Sequence, residues 1–180
     1  DDKTYVANTN YNFVPSGAAV VTERKLLDQN ACNACHGTLE AHGGSRRDVN
    51  LCVLCHTPQS TDPESGNTVD FKVMVHKIHR GKDLPSVVAG GTYEIIGFQG
   101  SVNDYSTVGY PQDLRTCETC HAGVQKDFWN QHPSAAACGS CHDDTSFADT
   151  VPAGMTAHAG GAQPDDSKCT VCHKPSGGLE

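Results

Sequence analysis

The 180-residue sequence predicts a mainly α and irregular fold with one small β-hairpin and little regular secondary structure. Three observations lead there. Apolar residues make up only 37% of the chain and aromatics 6%, while 18 glycines and 9 prolines punctuate it, so an ordinary side-chain core is thin. One segment, residues 70–80, has helical apolar periodicity, and one region, residues 92–108, combines β-branched and aromatic residues with glycine breaks. The third observation is a fivefold repeat that uses every cysteine.

The repeat is Cys-x-x-Cys-His. It occurs as Cys32, Cys35 and His36; as Cys52, Cys55 and His56; as Cys117, Cys120 and His121; as Cys138, Cys141 and His142; and as Cys169, Cys172 and His173. Two thiols three residues apart, followed at once by an imidazole, form the attachment pattern of c-type haem: the sulfurs add to two vinyl groups and the histidine binds iron from the near side. Zinc held by four cysteines takes two pairs per ion, and five pairs leave one over; two-cysteine, two-histidine zinc does not call for a histidine after every second cysteine. A thioredoxin-like disulfide motif belongs after a strand in a βαβ pattern, which is lacking. The expected cofactors are five covalently bound haem c groups. The fold class is then a haem-packed multihaem cytochrome c domain, in which the macrocycles supply the apolar area that side chains do not.

Ten histidines are present, and the five outside the motifs are His42, His76, His79, His132 and His158. One candidate far-side ligand is thus available for each iron. With all five used, every iron carries two imidazoles and no vacant position, and the expected chemistry is electron transfer rather than bond making. The competing reading is a multihaem reductase, with one histidine idle and one iron open to a small substrate such as nitrite, sulfite or peroxide. No motif has lysine in place of its histidine, and no acid–base constellation accompanies a vacant position. Met74 and Met155 are alternative axial ligands, but Met74 falls on an apolar helix face and reads as packing. A third reading makes the chain a subunit of a cytochrome filament, since ten histidines for ten axial positions permit ligation within one chain or exchanged between self-assembled copies.

Taken in order, residues 1–24, with Tyr5, Tyr11, Phe13 and Val14-Pro15, read as an N-terminal extended arm or the remnant of a preceding β domain. Residues 25–176 read as the pentahaem cytochrome c domain, and residues 177–180 as a tail in the manner of an appended scar. Gly43-Gly44 after His42 predicts a helix from about Leu27 to Ala41 carrying the first motif. Such a helix cannot place His36 and His42 on the two faces of one haem, so His42 is expected on a different iron. Motif starts are 20 residues apart in the first cluster and 21 and 31 in the second. Because even an extended chain covers only about 3.5 Å per residue, successive haems must be neighbours.

Between the clusters, Asp70 to Arg80 is expected to be helical, with Thr68 or Asp70 as N-cap, Gly81 as stop, and Phe71, Met74, Val75 and Ile78 as the apolar face. His76 and His79 lie three apart on it, about 5–6 Å at Cβ, too close to flank one iron; they are expected on two different haems. The alternative is a solvated histidine pair on a surface helix. Thr92–Phe98 and Tyr105–Val108 are the expected hairpin strands. His132 follows the apolar Phe128-Trp129, and His158 sits in a Gly/Ala-rich loop; their weight comes from the count. Arg46, Arg47, Lys77 and Arg80 are candidate partners for haem propionates, against a plain reading as solvated charge.

Net charge is -8 before cofactors, and each ferric bis-imidazole haem adds about -1. This acidity argues against nucleic acid as a partner. No apolar run approaches the roughly 18 residues of a transmembrane helix, and no cysteine is left over for lipid attachment. The chain opens on Asp1-Asp2-Lys3 without a signal peptide, as a mature form or a fragment would. Since c-type haem is attached outside the cytoplasm, the expected location is extracytoplasmic, at the cell surface, the outer membrane or the periplasm of a bacterium.

Several runs carry a more specific signal: Cys32-Asn-Ala-Cys-His36 through His42-Gly-Gly, Cys52-Val-Leu-Cys-His56-Thr-Pro58, the Val69–Gly81 segment with its His-Lys-Ile-His core, and Tyr110-Pro-Gln-Asp-Leu-Arg-Thr-Cys117-Glu-Thr-Cys-His121. From about residue 20 onward the chain resembles the outer-membrane decahaem cytochromes of the OmcA/MtrC type. The resemblance implies bis-histidine ligation throughout, with His42, His76, His79, His132 and His158 as distal ligands. It further implies an electron carrier that relays respiratory electrons to extracellular metal oxides, flavins or partner cytochromes. The family alternates β-barrel domains with two pentahaem domains; only one pentahaem unit is present here.

Overall fold

The computed structural model describes residues 4–174; the expected tail at 177–180 lies outside them. The chain folds as two units, one built from residues up to 56 together with 117–129, the other from 57–116 together with residues from 130 onward.

In the first unit, residues 4–13 have no regular secondary structure and are tied down by two asparagines. Asn8 donates to the Ser45 carbonyl (3.1 Å) and accepts from the Arg47 amide (2.6 Å), while Asn10 donates to the Asp48 carboxylate (3.0 Å). Helix α1 spans Gln29–His36, started by Asp28, whose carboxylate accepts the Asn30 N–H at 2.9 Å. It is half the length expected from the sequence. Gly37 ends it in a left-handed conformation (φ 67°), and the Asn33 side chain takes the Leu39 N–H at 2.8 Å, turning the chain away. Ala41 and Arg46 then pair as an antiparallel bridge around the His42-Gly43-Gly44 turn. Asp48 starts α2 (Val49–Cys55) in the same way as Asp28 starts α1, and Gln29 accepts the buried Val49 N–H at 2.9 Å.

In the second unit, α3 spans Phe71–Arg80 with Asp70 as its N-cap and Gly81 (φ 42°) as its stop, as the periodicity predicts. The glycine is required twice over, since a Cβ there would stand 2.3 Å from the Val108 carbonyl oxygen. A short turn leads through the fully buried Leu84 to α4 (Pro85–Val88). Strands β1 (Glu94–Ile96) and β2 (Val102–Asp104) form the antiparallel hairpin, in register Glu94↔Asp104, Ile95↔Asn103 and Ile96↔Val102. The first strand lies where expected; the second does not. The tight turn at Phe98–Gly100, with Gln99 at φ 56° and Gly100 at φ 74°, returns the chain early, so Val102, Asn103 and Asp104 pair and Tyr105–Val108 closes as a turn.

Helix α5 covers Phe128–Gln131, and α6 (Ala135–Cys141), capped by Ser134, packs against α3. Two-residue strands β3 (Thr145–Ser146) and β4 (Thr156–Ala157) pair in parallel, and α7 (Cys169–Cys172) follows. Among the described residues the buried apolar side chains are Val49, Leu84 and Tyr93, while Val53, Leu54, Phe98 and Val124 are exposed. The polypeptide alone therefore has no continuous core. Among the described residues no helix is long and apolar enough to cross a membrane.

Candidate haem-binding sites

All five repeats adopt one local shape, a single helical turn ending at the motif histidine. His36 closes α1, and the N–H groups of His56, His121, His142 and His173 donate to the carbonyls of Cys52, Cys117, Cys138 and Cys169 at 2.9–3.0 Å. That i to i+4 bond puts each pair of cysteines, three apart, and the histidine after them on neighbouring positions of one turn. The third motif differs in detail from the other four. Its turn, Cys117–Thr119, is a tighter 3₁₀ turn, and the Cys120 N–H donates to the Cys117 carbonyl at 3.2 Å.

None of the ten cysteines forms a disulfide. They are not equally accessible: Cys35, in the last turn of α1, is exposed, as are Cys55, Cys138 and Cys172, whereas Cys120 is half-buried with the remaining five. In four of the five motifs one cysteine is exposed and its partner half-buried; in the third, Cys117 and Cys120 are both half-buried. Burial pushes the thiols of Cys32, Cys52, Cys141 and Cys169 up, keeping them protonated in the bare polypeptide. Burial also pushes His121 down, with the Leu26 backbone acting in the opposite sense, so its ring is neutral near pH 7 as a metal ligand must be.

The histidines outside the motifs are placed by different devices. His42 stands in the Ala41–Arg46 turn with φ 52°, and its ring lies 5.9 Å from that of His56. His158 is positioned by β4: its N–H bonds the Ser146 carbonyl at 2.9 Å, its ring packs on Phe147 at 4.9 Å, and it lies 6.2 Å from the ring of His173. His76 and His79 are half-buried on α3, and His132 is exposed just after α5. The structure thus brings His42 to the second motif and His158 to the fifth, while His79 lies against Tyr110 (5.6 Å, edge-on).

Two of these rings have a determinate tautomer. The Nδ1 of His79 lies 2.8 Å from the Val75 carbonyl and that of His158 lies 3.0 Å from the Gly161 carbonyl. A carbonyl only accepts, so each Nδ1 carries the proton and each Nε2 carries the lone pair, the state in which imidazole binds metal.

Haem fits this donor set. Two imidazoles on opposite sides of one metal have ring centres roughly 6 Å apart, twice the sum of a metal–nitrogen bond of about 2.0 Å and the ring's own radius. The His42–His56 and His158–His173 spacings match it. Two buried donors also await acceptors that the polypeptide does not supply: the Tyr93 hydroxyl, on a residue only 1% exposed, and the Trp129 indole N–H, whose ring lies 6.3 Å from His121. A propionate-bearing macrocycle offers such acceptors. Among the described residues no three His, Cys, Asp or Glu side chains converge as a zinc cage would require; Cys35 and Cys120, like the other cysteines, belong to no such cluster.

The cations singled out in the sequence have the following partners within the polypeptide. Arg47 pairs with Glu40 at 3.0 Å, Arg80 donates to the Asp83 carbonyl at 2.8 Å, and Arg46 donates to the Ser45 carbonyl at 3.4 Å. Lys77, neither solvated nor pointing to an open position, forms a buried ion pair with Asp143 at 2.7 Å. Sequence reasoning missed Asp143, Tyr93, Trp129 and Phe147 as site-building residues. Only Trp129 had a local signal, in the apolar stretch before His132.

Five Cys-x-x-Cys-His turns on a chain of short helices and irregular loops define a multihaem c-type cytochrome, a class whose work is electron transfer. Residues 24–179 match the family described as outer membrane cytochrome MtrC/MtrF-like, domains II/IV, and the chain belongs to that family. It is 34% identical to the multiheme cytochrome MtrC of Shewanella baltica (strain OS185) over 96% of its own length and 22% of the relative's. Among solved structures it is similar to the outer membrane decaheme cytochrome OmcA, with a TM-score of 0.62 and 34% identity over 72% of this chain and 21% of that one. It is also similar to the crystal structure of MtrC from Shewanella baltica OS185, with a TM-score of 0.57 and 32% identity over 88% of this chain and 21% of that one. The chain spans about a fifth of the length of these relatives.

Proposed function

We propose that residues 25–176 form a pentahaem electron-transfer domain of the cell surface, relaying electrons in dissimilatory metal-reducing respiration toward extracellular metal oxides, flavins or a partner cytochrome. Each bound haem c supplies reversible one-electron exchange at its iron. The chain's own residues do the rest. The cysteine pairs, from Cys32 and Cys35 through Cys117 and Cys120 to Cys169 and Cys172, anchor the macrocycles covalently. The five motif histidines would bind the irons from the near side, and His42, His76, His79, His132 and His158 would serve as the far-side ligands. His42 serves the iron of His56, and His158 that of His173; the 5.9 and 6.2 Å ring spacings carry this reading. His79 and His158, with Nδ1 committed to backbone carbonyls, present Nε2 in fixed orientations. With every axial position so taken, no iron would be open to a substrate, and the domain would act as an electron carrier.

Optical and electron-paramagnetic-resonance spectra of the oxidised holoprotein, followed by carbon monoxide addition to the reduced form, test this. The expected result is wholly low-spin iron that ignores carbon monoxide. A high-spin fraction equivalent to one haem that binds carbon monoxide would overturn it in favour of a reductase with one open site.

A further inference from the structure

The polar cluster beneath α3 has no role in attaching haem, yet it touches both halves of the second unit's ligand-bearing framework. Lys77 lies on α3 between His76 and His79, and its Nζ meets Asp143 Oδ2 at 2.7 Å. Asp143 directly follows His142, the last residue of the fourth attachment turn. Ser86, at the start of α4, completes the carboxylate's shell: its N–H donates to Oδ1 at 3.0 Å and its hydroxyl donates to Oδ2 at 2.6 Å. The Tyr93 ring lies 4.9 Å from the same ammonium. The lysine and aspartate side chains are only 17% and 7% exposed.

A buried, fully bonded ion pair contributes little net stability compared with apolar packing, but it permits one alignment of the elements it joins. Ser86 accentuates this, because two donors from one residue hold the carboxylate in one plane. With Lys77 fixed, His76 and His79 project from a rigid helix at rotations of about 100° per residue from it, so their ring azimuths are fixed as well. We propose that the Lys77–Asp143 pair, keyed by Ser86, is a positioning device that sets the rotation of α3 against the fourth attachment turn. It thereby sets the orientation of the imidazoles of His76, His79 and His142 as iron ligands. The proposal rests on the ligand assignment given above.

The low-spin signal of a bis-imidazole iron depends on the angle between its two ring planes, which makes that angle a direct readout of positioning. In the holoprotein, Lys77→Arg retains the pair and is expected to leave all five low-spin signals in place. Lys77→Met alone, and the double variant Lys77→Met/Asp143→Asn, whose amide keeps an acceptor for the Ser86 N–H and can donate to the Ser86 hydroxyl without stranding a charge, are expected to retain five covalently bound, low-spin haems. In both, the g values and potentials of the two or three haems ligated by His76, His79 and His142 shift, while the others hold. Unchanged signals in the double variant, or changes spread evenly over all five haems, would overturn the proposal. High-spin iron in the unaltered protein would instead overturn the ligand assignment beneath it.

Discussion

The carboxylate of Asp62 holds the backbone N–H of Ile96 at 2.8 Å, 34 residues away, and so pins the hairpin to the loop before α3. The same carboxylate accepts from the amides of Glu64 (3.2 Å) and Ser65 (3.4 Å) and from the Ser65 hydroxyl, and Asp62 is 5% exposed.

These bonds, the Ile96 amide foremost, hold the Asp62 carboxyl well below the ordinary carboxylate range. Its pKa is lower folded than unfolded, so the stabilisation is complete above the unfolded value of about 3.9 and disappears as pH falls toward the folded one. Denaturant melts of the holoprotein and Asp62→Asn should differ by a constant amount from pH 5 to 7, and the gap should close on acidification below pH 4. A gap that widens at low pH would contradict the assignment.

Removing one far-side imidazole should expose one iron and no other. His158→Ala is expected to convert one of five haems to a high-spin, carbon-monoxide-binding form, with the haem content per chain unchanged. His42→Ala should do the same at the iron of His56. Magnetic and optical titration with carbon monoxide reads both.

Gly81→Ala is expected to destabilise the second unit by about 2–4 kcal/mol, combining a positive φ with a Cβ forced against the Val108 carbonyl. Gly17, which also has a positive φ but open space around it, should tolerate alanine far better. Chemical denaturation of the two holo variants makes the comparison.

Replacing Asp143 by alanine strands the Lys77 ammonium in a buried site and should cost about 3 kcal/mol, measured the same way.

The haem-free chain, produced where haem attachment does not operate, should show no cooperative thermal transition, since Val49, Leu84 and Tyr93 are the only buried apolar side chains among the described residues. A sharp transition in the apoprotein would show that side chains suffice.

What sequence made legible was the chemistry that travels with short spacing. The Cys-x-x-Cys-His repeats, the α3 helix with its Asp70 cap and Gly81 stop, and the first hairpin strand are all local; α3 is where periodicity and capping place it, and β1 lies within the expected Thr92–Phe98. The identical spacing of Cys32 to Cys35 and of Cys117 to Cys120 did not reveal that one second cysteine is exposed and the other half-buried, because that depends on what the rest of the chain lays over each turn. Failures came where one side chain outbid a pattern. The glycine pair after His42 looked like a helix stop, but Gly37 and the Asn33 side chain had already ended α1 six residues earlier. The tyrosine and valine of residues 105–108 looked like strand, but the turn at Gln99 fixed the register with residues 102–104. Pairings such as His42 with His56 or Lys77 with Asp143 depend on tertiary proximity, and nothing in linear order encodes them.

The hydrogen bond from His79 to the Val75 carbonyl lies inside a single helix, one turn apart. As an iron ligand, this ring would have its only exchangeable proton tethered to backbone and its Nε2 bound to metal. Charge could then arrive and depart without drawing a hydrogen ion from solvent. Any pH dependence of the reduction potential at that position should accordingly come from the haem propionates and not from this ring.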